Sequence, residues 1–185
     1  MAHAHSANLF GNPEDLEEYV RKLDGPDRDE WQKPAEVLRV LELHPEDVVG
    51  EIGAGSGYFT LRIAPAVTHV FAADADARLV EILRERVAAV CVRNVTPVLA
   101  LADDPFLPSG RCDLVLTVNA YHHFPEPPSY LRRVARALRR GGRIAIIDFH
   151  EKTARDQVIR DAKAAALRMA AEHLFLPQQH FLVFA

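Results

Sequence analysis

The sequence has few of the residues that mark secreted, metal-binding or nucleic-acid-binding proteins. Cys91 and Cys112 are its only cysteines, too few for a disulfide framework and without the C-x-x-C spacing of a redox or zinc motif. Lys and Arg total 22 against 26 Asp and Glu, which gives a formal net charge of -4. The chain as a whole therefore has no cationic field that would hold nucleic acid or an anionic membrane surface.

Long apolar runs are also missing. The first residues, MAHAHSANLFGNPEDL, contain no apolar stretch long enough for a signal peptide, and no later run approaches the roughly 20 apolar residues of a membrane span. We therefore expect a cytoplasmic protein. His3 and His5 lie in a tail, residues 1–11, that we expect to be flexible, and they are assigned no role.

The chain does have enough apolar material for one core. Its 185 residues are 49% hydrophobic, which favours a single domain over two. We predict that this domain covers residues 12–185, with an N-terminal helical cap over 12–45 and a sheet core over 46–185. In the cap, Asn12 and Pro13 are predicted to start a helix, and a second helix is predicted to begin at Pro34.

Short apolar runs alternate with helical patterns along the sheet core. Nearly continuous runs of this kind are typical of strands that are covered on both faces. The predicted strands are 48–52, 69–74, 97–102, 113–118 and 143–149. Helices are predicted over 76–89 and 129–140, the latter ending before Gly141, and another from Thr153. This alternation predicts a doubly wound, three-layer α/β fold.

The C-terminal residues break the alternation. In HLFLPQQHFLVFA, residues 173–185, only residues 176–180 separate two apolar runs, which predicts a hairpin. We therefore predict a mostly parallel seven-stranded sheet that is completed by an antiparallel C-terminal strand. Cys91 and Cys112 precede strands that are not neighbours in such a sheet, which argues against a disulfide between them.

A glycine-rich turn follows the first predicted strand. EIGAGSGYFT, residues 51–60, places glycines where ligands bind in open parallel sheets, beyond the carboxyl ends of the strands. A dinucleotide fingerprint would require glycine where the chain has Tyr58. Glu51, Asp74 and Asp103 surround the turn, and carboxylates are poor partners for a pyrophosphate. They suit a cationic ligand without phosphate, such as S-adenosylmethionine.

Five separated motifs resemble the class I S-adenosylmethionine-dependent methyltransferases in order and spacing. They are VVGEIGAGSGYFTLRIA, FAADAD, LADDPFLP, CDLVLTVNAYHHF and LRRGGRIAIIDF, and the similarity extends from about Arg28 to the end of the chain. RDEWQKP, YHHF and FLPQQHFLVF resemble a bacterial subgroup of small generic methyltransferases. Arg140 departs from the family pattern, in which a proline commonly precedes the Gly-Gly turn.

The resemblance implies roles for eight residues in binding S-adenosylmethionine. They are Glu51, Gly53, Gly55, Asp74, Ala75, Ala102, Asp103 and Asn119. The first three would lie at the methionine moiety, with Glu51 facing the ammonium. Asp74, at the end of the second predicted strand, would hold the ribose. Ala75, Ala102 and Asp103 would contact the adenine, and Asn119 would face the sulfonium.

Methyl transfer requires alignment with the departing sulfur, and a base only if the acceptor holds its proton. His122 follows the fourth strand on the acceptor side and is the candidate catalytic residue, with Tyr121 and His150 as further candidates. Alternatively, His122 and His123 are packing groups around Phe124. No metal is predicted, because adjacent histidines at a strand end point apart.

We expect the acceptor to be a small molecule, because no sizeable insertion is evident and the net charge disfavours nucleic acid. An arginine-rich run over 132–140 is interpreted as a solvated face. Trp31 and Gln32 either close over the cofactor or anchor the cap. A nicotinamide-dependent oxidoreductase and a non-catalytic cofactor-binding or assembly protein are the alternatives, and a homodimer stays open.

Overall fold

The computed structural model describes residues 15–185, and seven strands in this range form one mixed sheet. The strands are β1 Val48–Ile52, β2 His69–Asp74, β3 Val95–Leu99, β4 Cys112–Val118, β5 Leu138–Phe149, β6 Met169–His173 and β7 Gln179–Phe184. Their order is β3-β2-β1-β4-β5-β7-β6, and only β7 pairs antiparallel, with β5 and β6. The predicted mostly parallel sheet with an antiparallel C-terminal strand is confirmed.

Helices connect the strands and form the cap. They are α1 Leu16–Leu23, α2 Arg28–Gln32, α3 Pro34–Leu41, α4 Thr60–Ile63, α5 Ala77–Ala89, α6 Pro127–Ala137 and α7 Arg155–Ala164. Asp15 caps α1 by accepting a hydrogen bond from the Glu18 N–H at 2.9 Å. Asn12 and Pro13, predicted to start this helix, lie outside the described residues.

The sheet is covered on both faces, as the three-layer prediction requires. Along β4, Leu114 packs into one apolar cluster and Val115 into the other, because successive side chains of a strand point to opposite faces. The first cluster includes residues of α3, α4 and α5, such as Leu83. The second includes residues of α6 and α7, such as Leu131 and Val158.

The predicted end of the helix before β5 and the predicted start of β5 itself are both wrong. The helix predicted over 129–140 ends at Ala137, and Leu138 already belongs to β5, where it pairs with Cys112. A register shift between β4 and β5 absorbs the additional residues, so that Gly141 lies inside the strand rather than beyond a helix. Pairing with β4 therefore overrides the helical pattern of the arginine-rich run.

Three other local predictions also need correction. β3 ends at Leu99, three residues before the predicted end of this strand. Thr153 does not begin a helix, because α7 begins at Arg155 and its first turn has no side-chain cap. The first strand of the C-terminal hairpin ends at His173, earlier in the chain than its predicted position. The short helices α2 and α4 were not predicted, because they contain too few residues for a helical period to be visible.

Neither cysteine forms a disulfide. Cys91 is exposed and Cys112 is buried, and β1 and β2 separate β3 from β4 in the sheet. Within residues 15–185, no helix combines the length and apolarity needed to cross a bilayer. Over the same range, no three His, Cys, Asp or Glu side chains are grouped so that they could hold a metal ion.

The buried histidine of β7 makes the stability of the fold pH-dependent. His180 is 4% exposed and neither of its ring nitrogens has a hydrogen-bond partner, and burial lowers the pKa of the ring. The unfolded chain binds a proton below about pH 6.5, while the folded ring stays neutral until its lower pKa is reached. We expect the melting temperature of His180→Leu to rise relative to that of the wild type as pH falls from 7 to about 5.5, because the variant lacks this proton uptake on unfolding.

The exposed His44 provides the matched control for this measurement. His44→Gln should keep the wild-type dependence of melting temperature on pH. An unchanged dependence in His180→Leu would mean that other groups cause the effect.

Candidate functional site

A cavity of about 370 Å³ lies at the carboxyl ends of the central strands. The sheet order reverses here, because β1 pairs with β2 on one side and with β4 on the other. Residues from the ends of β1, β2, β4 and β5 line it, and α1 and α2 of the cap cover it. Eight of the nine predicted site residues line this cavity: Glu51, Gly53, Gly55, Asp74, Ala75, Ala102, Asn119 and His122.

The glycine turn forms one wall of the cavity. Gly53 and Gly57 have backbone φ angles of +73° and +93°, which residues other than glycine rarely adopt. A Cβ at Gly53 would lie 2.4 Å from the Cβ of Ala120, and one at Gly57 would lie 2.6 Å from Cδ1 of Leu83. The turn can therefore approach the β4 loop and α5 only if both positions are glycine.

The Asp74 carboxylate joins the glycine turn to the end of β2. It accepts hydrogen bonds from the Gly55 N–H at 2.8 Å and the Asp76 N–H at 2.9 Å. Burial raises the pKa of Asp74, while these backbone donors oppose that rise. Each carboxylate oxygen can accept more than one hydrogen bond, so Asp74 retains acceptor capacity for a ligand in the cavity.

Glu51 is a buried carboxyl group at the end of β1. It is 3% exposed, and the Thr60 hydroxyl donates a hydrogen bond to it. Burial raises the pKa of Glu51 to about 7, against the opposing effects of Thr60 and of the nearby Arg28. The free protein therefore holds Glu51 close to the midpoint of its titration at neutral pH.

Arg28, at the start of α2, is a functional candidate that the sequence analysis missed. It lines the cavity, is 8% exposed, and its guanidinium carbon lies 3.8 Å from the centroid of the Tyr58 ring. One of its terminal nitrogens donates to the Leu23 carbonyl, but its buried Nε has no hydrogen-bond partner. The cavity thus contains a buried cation as well as carboxylates, and the sequence had indicated an acid-lined site. Because α2 is too short to be predicted, nothing in the sequence indicated that this arginine lies at the cavity.

His122 and Asp148 form a hydrogen-bonded pair beside the cavity. Asp148 in β5 is 0% exposed, and it accepts from the His122 backbone N–H at 2.8 Å and contacts the ring Nδ1 at 2.9 Å. With Nδ1–H directed to the carboxylate, the neutral ring carries its lone pair on Nε2. Asp148 was not predicted, because its role depends on the pairing of β5 with β4.

The other histidine and tyrosine candidates take different positions. The Tyr121 hydroxyl donates to the Asp161 carboxylate at 2.8 Å, and neither Tyr121 nor His150 lines the cavity. His123 does line it. Of the two adjacent histidines that line the cavity, only His122 has a ring nitrogen in contact with a buried carboxylate.

Aromatic side chains form the remaining wall of the cavity. Trp31 of α2 and Phe149 of β5 both line it, and their ring centroids are 5.6 Å apart. Gln32 points into the protein instead, since it is 0% exposed and bonded to Gln179 and Asn119. The two interpretations of this segment thus apply to different residues: Trp31 covers the cavity and Gln32 anchors the cap.

Asp103 is the predicted site residue that the structure places outside the cavity lining. Its side chain is 60% exposed and lies 3.4 Å from Nη1 of Arg133. Ala102 and Leu101 line the cavity in this part of the chain, together with Tyr130 of α6.

The central part of the chain matches a known family model. Residues 50–146, just over half of the chain, match the model described as methyltransferase domain. The chain belongs to this methyltransferase family. The predicted resemblance to class I S-adenosylmethionine-dependent methyltransferases is confirmed, and the nicotinamide-dependent oxidoreductase is set aside.

Similar proteins include bacterial methyltransferases. The chain is 29% identical to the uncharacterized methyltransferase YcgJ of Bacillus subtilis, over 62% of this chain and 45% of that protein. It therefore spans about half the length of that relative. A mitochondrial small-subunit ribosomal RNA methyltransferase of Arabidopsis thaliana is 42% identical over 52 residues, 28% of this chain and 14% of that one.

Solved methyltransferase structures share the fold. A SAM-dependent methyltransferase of Aquifex aeolicus superposes with a TM-score of 0.84 over 93% of this chain and 98% of that one, at 21% identity. The seven-stranded arrangement described above is therefore that of a solved methyltransferase.

The methyltransferase should lose ligand affinity when Asp74 is changed but not when Asp103 is changed. We expect Asp74→Ala to weaken binding of S-adenosylhomocysteine at least about tenfold, because a ribose acceptor and the anchor of the glycine turn are both removed. Asp103→Asn should bind within about twofold of the wild type, because the structure places its side chain outside the cavity lining. Isothermal titration calorimetry measures both, and circular dichroism checks folding.

If Asp103→Asn weakens binding as much as Asp74→Ala, the adenine contact expected from the sequence is right. The placement of Asp103 outside the site is then wrong.

Proposed function

We propose that this methyltransferase transfers the methyl group of S-adenosylmethionine to a small-molecule acceptor by in-line displacement, with His122 as general base. The observation that carries the proposal is the His122 ring, which lines the cavity and is held at Nδ1 by the buried Asp148. A cytoplasmic location and a homodimer stay predictions from the sequence.

The charged groups of the cavity fit the methionine moiety of the cofactor. An amino acid moiety carries one ammonium and one carboxylate. The cavity offers one buried cation, Arg28, and two buried carboxyl groups, Glu51 and Asp74, of which Asp74 already accepts two backbone N–H bonds. The unpartnered Nε of Arg28 is a donor that a carboxylate would satisfy. We assign Glu51 to the ammonium and Arg28 to the carboxylate.

The other predicted residues that line the cavity fit the rest of the cofactor. Asp74 has acceptor capacity for the ribose hydroxyls, and Ala75 and Ala102 offer small apolar surfaces for the adenine. Gly53 and Gly55 bring their backbone close to the methionine moiety, and Asn119 lies at the end of β4 on the sulfonium side. When bound, the cofactor supplies a reactive methyl sulfonium.

His122 would remove the proton of the acceptor. Its Nε2 lone pair would take that proton, and Asp148 would stabilise the resulting imidazolium through the Nδ1 hydrogen bond. The cofactor would supply the methyl group and leave as S-adenosylhomocysteine when its methyl–sulfur bond breaks. Trp31 and Phe149 form an apolar wall that limits access of water to the reacting groups. This arrangement favours an acceptor that holds its proton at neutral pH, such as a hydroxyl or a thiol.

An RNA acceptor is the second candidate, because ribosomal RNA methyltransferases match part of the chain. The exposed arginine-rich run of residues 132–140 is the surface on which RNA would bind. The net charge of -4, and a match that covers 28% of this chain, make it the weaker candidate. Methyl transfer to a panel of small hydroxyl and thiol compounds, with ribosomal RNA as a further acceptor, separates the two.

The role of His122 is tested by comparing it with His150, which does not line the cavity. With an acceptor from the panel, His122→Ala should lower kcat by about 10²–10⁴-fold, since general-base catalysis contributes that much. Its affinity for S-adenosylhomocysteine should stay within about twofold of the wild type, and His150→Ala should keep kcat. Full activity in His122→Ala would show that the acceptor needs no base.

The raised pKa of Glu51 makes cofactor affinity pH-dependent. Below its pKa of about 7 the free protein holds Glu51 protonated, and pairing with an ammonium requires loss of that proton. Affinity for S-adenosylhomocysteine should therefore rise as pH rises from about 5.5 to 7.5, by up to roughly tenfold. Glu51→Gln should bind more weakly and remove this dependence.

The free Glu51→Gln protein should be more stable than the wild type at pH 8. Burial raises the pKa of Glu51 above that of the unfolded chain, so ionisation of Glu51 lowers stability as pH rises through about 7.

The affinity measurement has its own contradicting outcome. If Glu51→Gln keeps the wild-type dependence of S-adenosylhomocysteine affinity on pH, a group other than Glu51 titrates.

A further inference from the structure

Two buried amide side chains, Gln32 and Gln179, and the partly buried amide of Asn119 form a closed ring of hydrogen bonds. Gln32 Nε2 donates to Gln179 Oε1 at 2.9 Å, Asn119 Nδ2 donates to Gln32 Oε1 at 3.2 Å, and Gln179 Nε2 donates to Asn119 Oδ1. Reversing all three amides together gives an equivalent ring, so the ring closes with either direction of donation.

The three amides depend on one another. Gln32 is 0% exposed and Gln179 is 1% exposed, so water does not replace a lost partner. Removing one side chain leaves a donor on one neighbour and an acceptor on the other without partners, and such groups are costly when buried. The ring is therefore either complete or strongly weakened, which is the behaviour of a latch.

The ring connects the cap to the edge of the sheet beside the cavity. Gln32 is the last residue of α2 and directly follows Trp31, whose ring lies 5.6 Å from that of Phe149. Phe149 is paired in register with Gln179 across β5 and β7. Asn119 both belongs to the ring and lines the cavity. The ring of amide hydrogen bonds thus holds Gln32, and with it the neighbouring Trp31, beside the cavity.

A second, weaker contact attaches the same segment. Lys33, between α2 and α3, has a left-handed backbone with φ of 46°, and its Nζ donates to the Phe175 carbonyl at 3.2 Å. This bond is partly buried, whereas the Gln32–Gln179 bond of the ring is buried, so water replaces the Lys33 contact more easily than the Gln32–Gln179 bond. The ring is the main polar connection between α2 and the C-terminal hairpin.

We propose that Gln32, Asn119 and Gln179 form a latch, here called the amide latch, which holds α2 in place so that Trp31 covers the acceptor end of the cavity. Gln32 and Gln179 act as positioning residues, since the group that they position is the neighbouring tryptophan. The assignment of this end of the cavity to the acceptor rests on the proposed function. The coupling between the amide latch and Trp31 does not.

The sequence provides a direct probe, because Trp31 is its only tryptophan. Acrylamide quenching of Trp31 fluorescence, measured on the full chain without ligand, reports how accessible that side chain is. We expect Gln32→Leu and Gln179→Leu each to raise the quenching constant by about twofold, because α2 opens locally when the latch is lost. The matched control is Gln178→Leu, since Gln178 is the exposed neighbour of Gln179 and should leave quenching unchanged.

The double variant Gln32→Leu, Gln179→Leu distinguishes a shared latch from two separate structural contributions. If both residues act through one ring, the double variant should quench no more than either single variant. Additive increases, or unchanged quenching in both single variants, would overturn the proposal. Circular dichroism at the measuring temperature establishes that each variant is folded.

If the leucine variants do not fold, Gln32→Asn and Gln179→Asn keep the amide group but shorten the side chain by one methylene, which takes the amide out of hydrogen-bond reach of its partners in the ring. The same increase in quenching is expected of them, and unchanged quenching would again overturn the proposal. Since quenching is measured without cofactor or acceptor, failure of the latch and failure of the proposed methyl transfer appear in different experiments.

Discussion

The hydrogen bonds from the Gly55 and Asp76 backbone N–H groups to the Asp74 carboxylate are the interaction on which the site depends. They join the turn after β1 to the turn after β2 at the point where the order of the strands reverses. The positive φ of Gly53 directs the chain back across the end of the sheet. Together these features produce an open edge with a fixed carboxylate, and the helical cap covers the cavity that results.

Buried charge of both signs follows from this arrangement. The cap brings Arg28 under the same cover as Glu51, and each affects the other, because the guanidinium opposes the rise in the pKa of the carboxyl. Neither charge is stable alone in a buried cavity. The zwitterionic amino acid moiety proposed above would satisfy both, which would account for a buried arginine in a cavity that the sequence had indicated as acidic.

The parts of the site that lie next to strand ends were predictable, because a parallel sheet brings the carboxyl ends of its strands to one edge. Glu51, Asp74 and Asn119 line the cavity for this reason. Asp103 does not, because β3 ends at Leu99 and leaves it four positions into the loop. The partners of His122 and Gln32 were not predictable, because they come from strands that are distant in sequence and meet only in the folded sheet.

The C-terminal hairpin does more than complete the sheet, because β7 pairs with residues of β5 that form part of the site. In the antiparallel pairing of β5 with β7, Asp148 lies opposite His180 and Phe149 lies opposite Gln179. The carboxylate that orients His122, the aromatic wall against Trp31 and one member of the amide latch therefore occupy two adjacent register positions. A slip of one residue in β7 would move Gln179 to the other face of the sheet and away from its partner Phe149. The pairing of β5 with β4 and β7 thus determines the side of the cavity that we propose for the acceptor, and the parallel strands β1 and β2 determine the side that we propose for the cofactor.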